Sequence, residues 1–256
     1  MEVCDQQNRV ELATRNLTKY FGEFKALDGV SLDAGNCLTL IIGPNGSGKT
    51  TLINVVTGFL SPDEGKVLFE GRDITNLPPH EIFKLGIVRT FQTSQPLKKL
   101  TVLENLLITE GSHEGILQSF SRKWVEKEEG LVSKALLILE FLGMKHLWRE
   151  KAQNLSGGQL RLLEIGRALM CEAKLIIMDE PIAGVALDLS HVIFKKLKEL
   201  ASKGISLLIV EHRLDVALEY ADSVYVMASG RIIAKGEGAE VIENPEVIEV
   251  YLGAES

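Results

Sequence analysis

Eight residues between an apolar stretch and an amphipathic stretch have the spacing of a phosphate-binding loop. They read Gly43-Pro-Asn-Gly-Ser-Gly-Lys-Thr50 and fit the pattern G-x-x-x-x-G-K-[ST]. Glycines let backbone N–H groups approach phosphate oxygens, and a helix that starts here adds partial positive charge. In this pattern the lysine reaches the β- and γ-phosphates, and the threonine hydroxyl ligates Mg²⁺. The residues expected to contact the nucleotide are Gly43, Pro44, Asn45, Gly46, Ser47, Gly48, Lys49, Thr50 and Thr51.

Two adjacent carboxylates close a second apolar stretch, which reads Leu175-Ile-Ile-Met-Asp-Glu180. Ligands of parallel sheets bind at strand ends, where this pair is expected to lie. We expect Asp179 to hold the metal, through a water molecule, and Glu180 to polarise the attacking water as a general base. On its own, the pattern is equally typical of a solvated turn. Its combination with the phosphate-binding loop favours the catalytic interpretation.

A third motif, Leu155-Ser-Gly-Gly-Gln159, precedes an amphipathic stretch that runs to Met170. Ser156 and Gln159 have the spacing of a capping box, which predicts the start of a helix. Two consecutive glycines add little to capping, and they leave backbone N–H groups open to an anion. The motif therefore predicts anion binding by Ser156, Gly157, Gly158 and Gln159, with an ordinary helix start as the alternative.

Short strands and helices alternate along the chain and must position these motifs. Half-buried strands are predicted near the N-terminus, at 10–17, 27–32 and 66–69. More apolar strands are predicted at 37–42, 175–178, 205–210 and 224–227. Ser229-Gly230 predicts a hairpin turn into a last strand at 231–234. This alternation predicts an α/β fold with a largely parallel sheet.

Helical patterns occupy the stretches between the strands. One apolar face is formed after Gly48 by Leu52, Val55, Val56 and Phe59. Thr101 and Glu104 have the spacing of a capping box. A second apolar stripe consists of Leu131, Ala135, Ile138 and Leu142. The helical stretch from about 101 to 170 predicts an inserted subdomain.

Composition narrows the class of protein further. The 256 residues include 28 Lys and Arg against 35 Asp and Glu, and the resulting net charge of −7 argues against a nucleic-acid partner. Three scattered cysteines, Cys4, Cys37 and Cys171, predict reduced thiols rather than a metal cluster. No apolar stretch approaches the ~18 residues of a spanning helix, and the N-terminus lacks a secretory signal. These features predict a cytosolic protein and leave room for docking to an integral membrane protein.

The three motifs in this order resemble the nucleotide-binding subunit of ABC transporters, and the resemblance covers nearly the whole chain. It implies a single ATP-binding domain over 1–256 with the P-loop NTPase core of ABC ATPases. That core has a mostly parallel sheet, an N-terminal antiparallel β-subdomain and an inserted α-helical subdomain at about 93–170. ATP and Mg²⁺ are the implied cofactors, and ATP hydrolysis is the implied reaction.

Further site residues are implied by the same resemblance. Gln92 resembles the family's glutamine that reaches Mg²⁺ and the attacking water and that responds to the transmembrane partner. His212 resembles the switch histidine that contacts the γ-phosphate, and Phe21 resembles the aromatic that stacks on adenine, with Tyr20 as the weaker candidate. A structural histidine and an edge-strand aromatic are the alternatives for these two. The aspartate usual after the Asp-Glu pair is replaced by Ala186, with Asp188 two residues later.

Within the family, the stretches 89–105 and 179–185 resemble the branched-chain amino-acid uptake group, and lipopolysaccharide-export ATPases share part of the pattern. The implied partners are permease subunits and a second ATPase subunit, identical or paralogous, with an external binding protein as an indirect partner. The implied location is the cytoplasmic face of the cell membrane, as a peripheral subunit. Alternatives are soluble ABC ATPases of DNA repair, of the ribosome or of cluster assembly. A single phosphate-binding loop and the absence of a long coiled-coil insertion disfavour the first two.

Overall fold

A computed structural model describes residues 10–90, 96–109 and 122–253 of the chain. Its strands are β1 (Val10–Phe21), β2 (Phe24–Gly35), β3 (Leu38–Ile42), β4 (Glu64–Phe69), β5 (Arg72–Asp73), β6 (Ile87–Thr90), β7 (Leu175–Asp179), β8 (Ser206–Val210), β9 (Ser223–Ala228) and β10 (Arg231–Gly236). Its helices are α1 (Lys49–Val56), α2 (Pro79–Lys84), α3 (Val102–Leu107), α4 (Arg122–Phe141), α5 (Gly157–Met170), α6 (Leu187–Ser202), α7 (Leu214–Tyr220), α8 (Gly238–Ile242) and α9 (Pro245–Gly253). None of the helices in these ranges is long and apolar enough to cross a bilayer.

The strands form two sheets. Six strands make the larger sheet in the order β10-β9-β3-β8-β7-β6, and all its neighbours are parallel except the β9–β10 hairpin. Strands β3, β7 and β8 are buried along their whole length, as expected of parallel strands covered on both faces. The smaller sheet is antiparallel, in the order β2-β1-β4-β5. The Tyr225 hydroxyl joins the sheets by accepting from the Asp33 N–H and donating to the Asp33 carbonyl, at 3.0 Å each.

Helices α3, α4 and α5 pack on one another through a shared apolar core. Leu106, Ala135, Leu139 and Leu163 are fully buried within it. The predicted capping boxes start two of these helices, Thr101 with Glu104 at α3 and Ser156 with Gln159 at α5. This packing places the start of α5 at the protein surface while its body stays in the core.

The topology brings the ends of three strands together. In the sheet β8 lies between β3 and β7, and all three strands run in the same direction. The phosphate-binding loop follows β3, Asp179 ends β7, and residues 211–213 follow β8. Because parallel strands present their carboxyl ends at one edge, the predicted chemistry converges there.

The predicted α/β architecture is confirmed, including the mostly parallel sheet, the N-terminal antiparallel sheet and the hairpin at Ser229-Gly230. The prediction for Phe59 is wrong. Helix α1 ends at Val56 with a cap at Thr57, so Phe59 lies beyond the helix and its side chain is 51% exposed. Phe59 has the helical spacing i+7 from Leu52, but the helix itself ends at Val56.

Candidate functional site

The loop after β3 depends on glycines at two close approaches. Gly43 has a φ of +148°, and a Cβ there would lie 2.0 Å from the Met227 carbonyl oxygen. Gly48, at a φ of +102°, begins α1, and its Cβ would lie 2.5 Å from the Ala26 carbonyl oxygen. Side chains are excluded at both positions because backbone atoms cannot yield as a flexible side chain does. The loop is thereby held between β9 and β2.

Lys49 lies inside the loop and forms hydrogen bonds to three other residues of the loop. Its Nζ donates to the carbonyls of Gly43 and Pro44, each at 2.8 Å, and to the Ser47 hydroxyl at 3.2 Å. The side chain is buried, and burial lowers the pKa of Lys49 while the charges of Glu180 and Asp179 oppose that shift. The cation therefore has two carboxylates near it and strong acceptors in the loop itself.

Asp179 closes β7 as a buried carboxylate. Burial raises its pKa, and the Arg89 guanidinium opposes this shift from 3.7 Å. Arg89 also donates to the Asn54 side chain at 2.6 Å, which connects β6 with α1. The guanidinium therefore supplies a positive charge behind Asp179 while the carboxylate faces the loop.

Glu180 and His212 meet across the gap between β7 and β8. The His212 Nε2 lies 3.2 Å from a Glu180 carboxylate oxygen. Glu180 has a left-handed backbone with a φ of +52°, and its N–H donates to the Val210 carbonyl at 2.9 Å. A non-glycine residue in this region signals local strain at a site that the surrounding structure fixes. The turn aims the Glu180 side chain across the sheet edge.

These side chains line one open cleft of about 300 Å³. Its wall contains the predicted loop residues 45–51, together with Asp179, Glu180, His212 and Phe21. Gly43 and Pro44 lie behind the wall, as acceptors for Lys49. A hydroxyl from Thr50 and a carboxylate from Asp179 on opposite walls match Mg²⁺, which takes one or two protein oxygens along with substrate phosphates. The donor set thus fits a magnesium nucleotide.

The aromatic end of the cleft carries two rings. Phe21 and Phe24 are opposite one another in the β1–β2 hairpin, and they are 48% and 64% exposed. Tyr20 is 40% exposed and lies under the Lys25 ammonium instead. Phe24 was not among the residues singled out from the sequence, although a two-residue turn between two phenylalanines is a signal for their pairing.

Some predicted site residues stay apart from this cleft. Ser156 and Gly157 are exposed at the start of α5 and contribute nothing to the cleft wall. Gly158 packs against Leu189 of α6, where an added Cβ would lie 2.0 Å from a methyl carbon. Gln92 lies outside the described residues. Ala186 precedes α6 without any side-chain cap, and Ala183 and Gly184 are exposed beside it.

Three further contacts escaped the sequence reasoning. In the sequence, Arg89 is only the first residue of the stretch 89–105, and Glu211 belongs to none of the motifs. Glu211 is 2% exposed and accepts from three backbone N–H groups around the cleft. Burial raises the pKa of Tyr251 in α9, and the nearby backbone of Gly43 opposes this shift. Adjacent charged residues after an apolar strand gave a weak signal for Glu211, whereas nothing local indicated the partner of Tyr251.

Fold and cleft together define a nucleotide-binding protein of the phosphate-loop class. The "ABC transporter" family model matches residues 27–183, and the model "Branched-chain amino acid ATP-binding cassette transporter" matches residues 231–256. A curated relative is the "Probable branched-chain amino acid transport ATP-binding protein LivG" of Archaeoglobus fulgidus. It is 60% identical over 246 residues, covering 95% of this chain and 96% of the relative.

Solved structures agree with the sequence comparisons. The ADP conformation of MJ1267, an ATP-binding cassette of an ABC transporter, is 58% identical, has a TM-score of 0.85 and covers 97% of this chain and all of that one. The dimeric structure of MJ0796, a bacterial ABC transporter cassette, is 27% identical with a TM-score of 0.71 over 88% of this chain and 98% of that one. The chain belongs to the ABC transporter family, and it is an ATPase. The soluble-ATPase and lipopolysaccharide-export alternatives are not favoured, since the relatives are named as branched-chain amino acid transport proteins.

Proposed function

We propose that this protein is the ATP-hydrolysing subunit of an importer for branched-chain amino acids. The observation that carries the hydrolytic part is the single cleft that joins the phosphate-binding loop to Asp179, Glu180 and His212. The substrate class rests on the names of relatives that share up to 60% of their residues with this chain over nearly its whole length.

In the proposed reaction, the loop and Lys49 hold the phosphates, and Phe21 stacks on the adenine. Thr50, Asp179 and Gln92 are the proposed protein contacts of Mg²⁺, which would neutralise phosphate charge when bound. Glu180 orients and polarises the attacking water, and His212 holds the Glu180 carboxylate and contacts the γ-phosphate. The 3.2 Å separation of these two side chains supports this pairing.

A second copy, or a paralogous subunit, is proposed to complete the site. The start of α5 carries exposed Ser156 and Gly157, a helix N-terminus suited to an anion, yet it contributes nothing to the cleft of its own chain. In a two-fold, head-to-tail arrangement, residues 156–159 of each subunit cover the nucleotide held by the other, so that two ATP molecules lie at the interface. The MJ0796 cassette, whose structure is dimeric, is a precedent for the association of two cassettes.

The permease is proposed to dock beside the Gln92 segment, on the cytoplasmic face of the membrane. Two hollows of about 280 and 310 Å³ flank Phe83, and Arg89 lines both. Phe59 and Phe83 are 51% and 48% exposed there, and Leu97 is 44% exposed in the segment that follows Gln92. An apolar helix end of a permease fits hollows of this size, and exposed apolar side chains of this kind mark interaction sites. Residues 93–95 of this segment lie outside the described residues.

The helical subdomain at about 93–170 is proposed to transmit the nucleotide state to this surface. Helices α3, α4 and α5 share one core, so they are expected to move as a unit between Gln92 and Ser156. Such a movement relative to the two sheets changes the shape of the hollow between α5 and β6.

Reconstitution with the permease tests the proposal. We expect Phe83→Ser, and charge reversal at Lys98 and Lys99, to leave ATPase activity of the isolated subunit nearly unchanged but to reduce recovery of the complex and leucine transport. The matched control is Leu137→Ser, since Leu137 is equally apolar and 66% exposed on α4. Normal transport and recovery with the Phe83 and lysine variants would place docking elsewhere. Hydrolysis that drives uptake of another solute class but not of leucine would refute the substrate class.

A further inference from the structure

Glu211 lies between two loops at the edge of the cleft and contacts both. One oxygen, Oε1, accepts from the Ile182 N–H at 3.0 Å, in the β7–α6 loop (residues 180–186). The other, Oε2, accepts from the N–H groups of His212 at 3.0 Å and Arg213 at 3.4 Å, in the β8–α7 loop (residues 211–213). The residue is 2% exposed. A buried carboxylate of this kind is tolerated because backbone donors satisfy it.

A second contact joins the same two loops further along. The Arg213 guanidinium donates to the Val185 carbonyl at 2.9 Å and to the Ser190 hydroxyl at 3.4 Å. Thus Ile182 and Val185, on either side of exposed Ala183 and Gly184, are both fastened to the β8–α7 loop. Ala186, at the end of the β7–α6 loop, has a side chain that cannot form a hydrogen bond to the neighbouring loop.

We infer that Glu211 is a positioning residue that makes the two loops one unit, so that Glu180 and His212 keep their relative geometry. Glu180 and His212 lie on different loops. The Glu211 carboxylate accepts from the N–H of Ile182, two residues after Glu180, and from the N–H of His212. A surface that presses on Ala183 and Gly184 therefore moves His212 along with the β7–α6 loop. This inference rests on the proposed roles of Glu180 and His212 in hydrolysis.

Glu211→Gln separates the two halves of the contact without changing the shape of the side chain. An amide has one accepting oxygen, and its NH₂ cannot accept from an N–H group. The amide oxygen is expected to face the two donors of His212 and Arg213, which leaves the single donor of Ile182 without a partner. Hydrogen–deuterium exchange of the full-length protein should then become faster at Ile182 and stay nearly unchanged at His212 and Arg213.

The kinetic expectation distinguishes positioning from simple support of the fold. Because Glu211 touches neither the phosphate-binding loop nor the aromatic rings, KM for ATP should stay within about twofold, while kcat falls at least about tenfold. Val216→Ala is the control, since Val216 is fully buried in α7, lies outside both loops in the sequence and makes none of the hydrogen bonds that join them, so its truncation lowers stability alone. It should lower Tm and leave kcat unchanged.

Arg213→Gln is the second variant, in case Glu211→Gln fails to fold. It should accelerate exchange near Val185 and lower kcat with KM unchanged. The inference is overturned if exchange at the β7–α6 loop is unchanged in the folded variants, or if it rises while kcat stays at the wild-type value. The proposed function fails by a different result: wild-type hydrolysis in Glu180→Gln and His212→Ala would remove the catalytic roles, whatever the exchange data for Glu211.

Discussion

Replacing Lys49 by Met should weaken nucleotide binding and abolish hydrolysis while leaving the nucleotide-free fold intact. Lys49 is the buried cation of the loop, and its bonds in the structure go to Gly43, Pro44 and Ser47. Its lowered pKa means that burial already disfavours the charged side chain. Met removes this cost of burial and also the three hydrogen bonds of the ammonium, so the two effects oppose each other and Tm without nucleotide should change little.

The size of the binding loss follows from the contacts that the ammonium makes with phosphate. A charge-assisted hydrogen bond contributes about 1.5–3 kcal/mol, which weakens binding about 10- to 150-fold when it is lost. At a nucleotide concentration about 1,000 times the wild-type Kd, binding stabilises the native protein by about 4.1 kcal/mol. The variant retains about 1.2–2.7 kcal/mol of this at the same concentration. At about 2–4 °C per kcal/mol, the nucleotide-dependent rise in Tm should shrink by about 3–12 °C.

Thermal unfolding with and without MgATP measures this change, and titration calorimetry gives Kd directly. The control is Lys145→Met, because Lys145 forms an exposed pair with Glu140 at the protein surface. It should keep the full nucleotide-dependent rise in Tm. An unchanged Kd in Lys49→Met would refute the assignment of the loop as the phosphate site. A large loss of Tm without nucleotide would refute the argument about its buried charge.

Three further variants test other parts of the cleft. Glu180→Gln should bind ATP normally, hydrolyse it at least about 100-fold more slowly and accumulate as a dimer with MgATP in light scattering; monomer alone at high concentration would count against the shared site. Phe21→Ala should weaken ATP binding by about 1–3 kcal/mol in calorimetry while leaving inorganic phosphate release per bound ATP unchanged, and equal Kd values would exclude stacking. Gly48→Ala should lower Tm and ATP affinity, because its Cβ meets the Ala26 carbonyl at 2.5 Å, whereas Gly46→Ala, with open space around it, should affect both less; equal effects would show that close approach is not the constraint.

What the sequence predicted well was local. The loop at 43–50 and the strand ending at Asp179 are contiguous motifs, and their apolar flanks report burial directly. The capping boxes of α3 and α5 likewise involve residues three apart and appear as expected. Helix and strand ends were less accurate, as Phe59 shows, because a periodic pattern does not tell where a helix stops.

What the sequence left out depends on distant pairs. Glu211 accepts from Ile182 at a separation of 29 residues, and Arg89 donates to Asn54 at a separation of 35. Neither pair has a spacing rule, since strand order in the sheet decides which loops become neighbours. A buried Glu211 also contradicts the usual expectation that glutamate is solvated, and only the three backbone donors explain its position.

The closeness of Tyr251 in α9 to the backbone of Gly43 has a practical consequence for anyone labelling this protein. A fluorescent protein or affinity tag fused after α9 would be attached to a helix that lies near the first residue of the phosphate-binding loop. Apparent nucleotide affinities measured with such fusions would then include the effect of any displacement of α9 as well as the chemistry of the cleft. A label placed before Val10 is attached next to the smaller sheet, so it separates the effect of the label from the chemistry of the cleft.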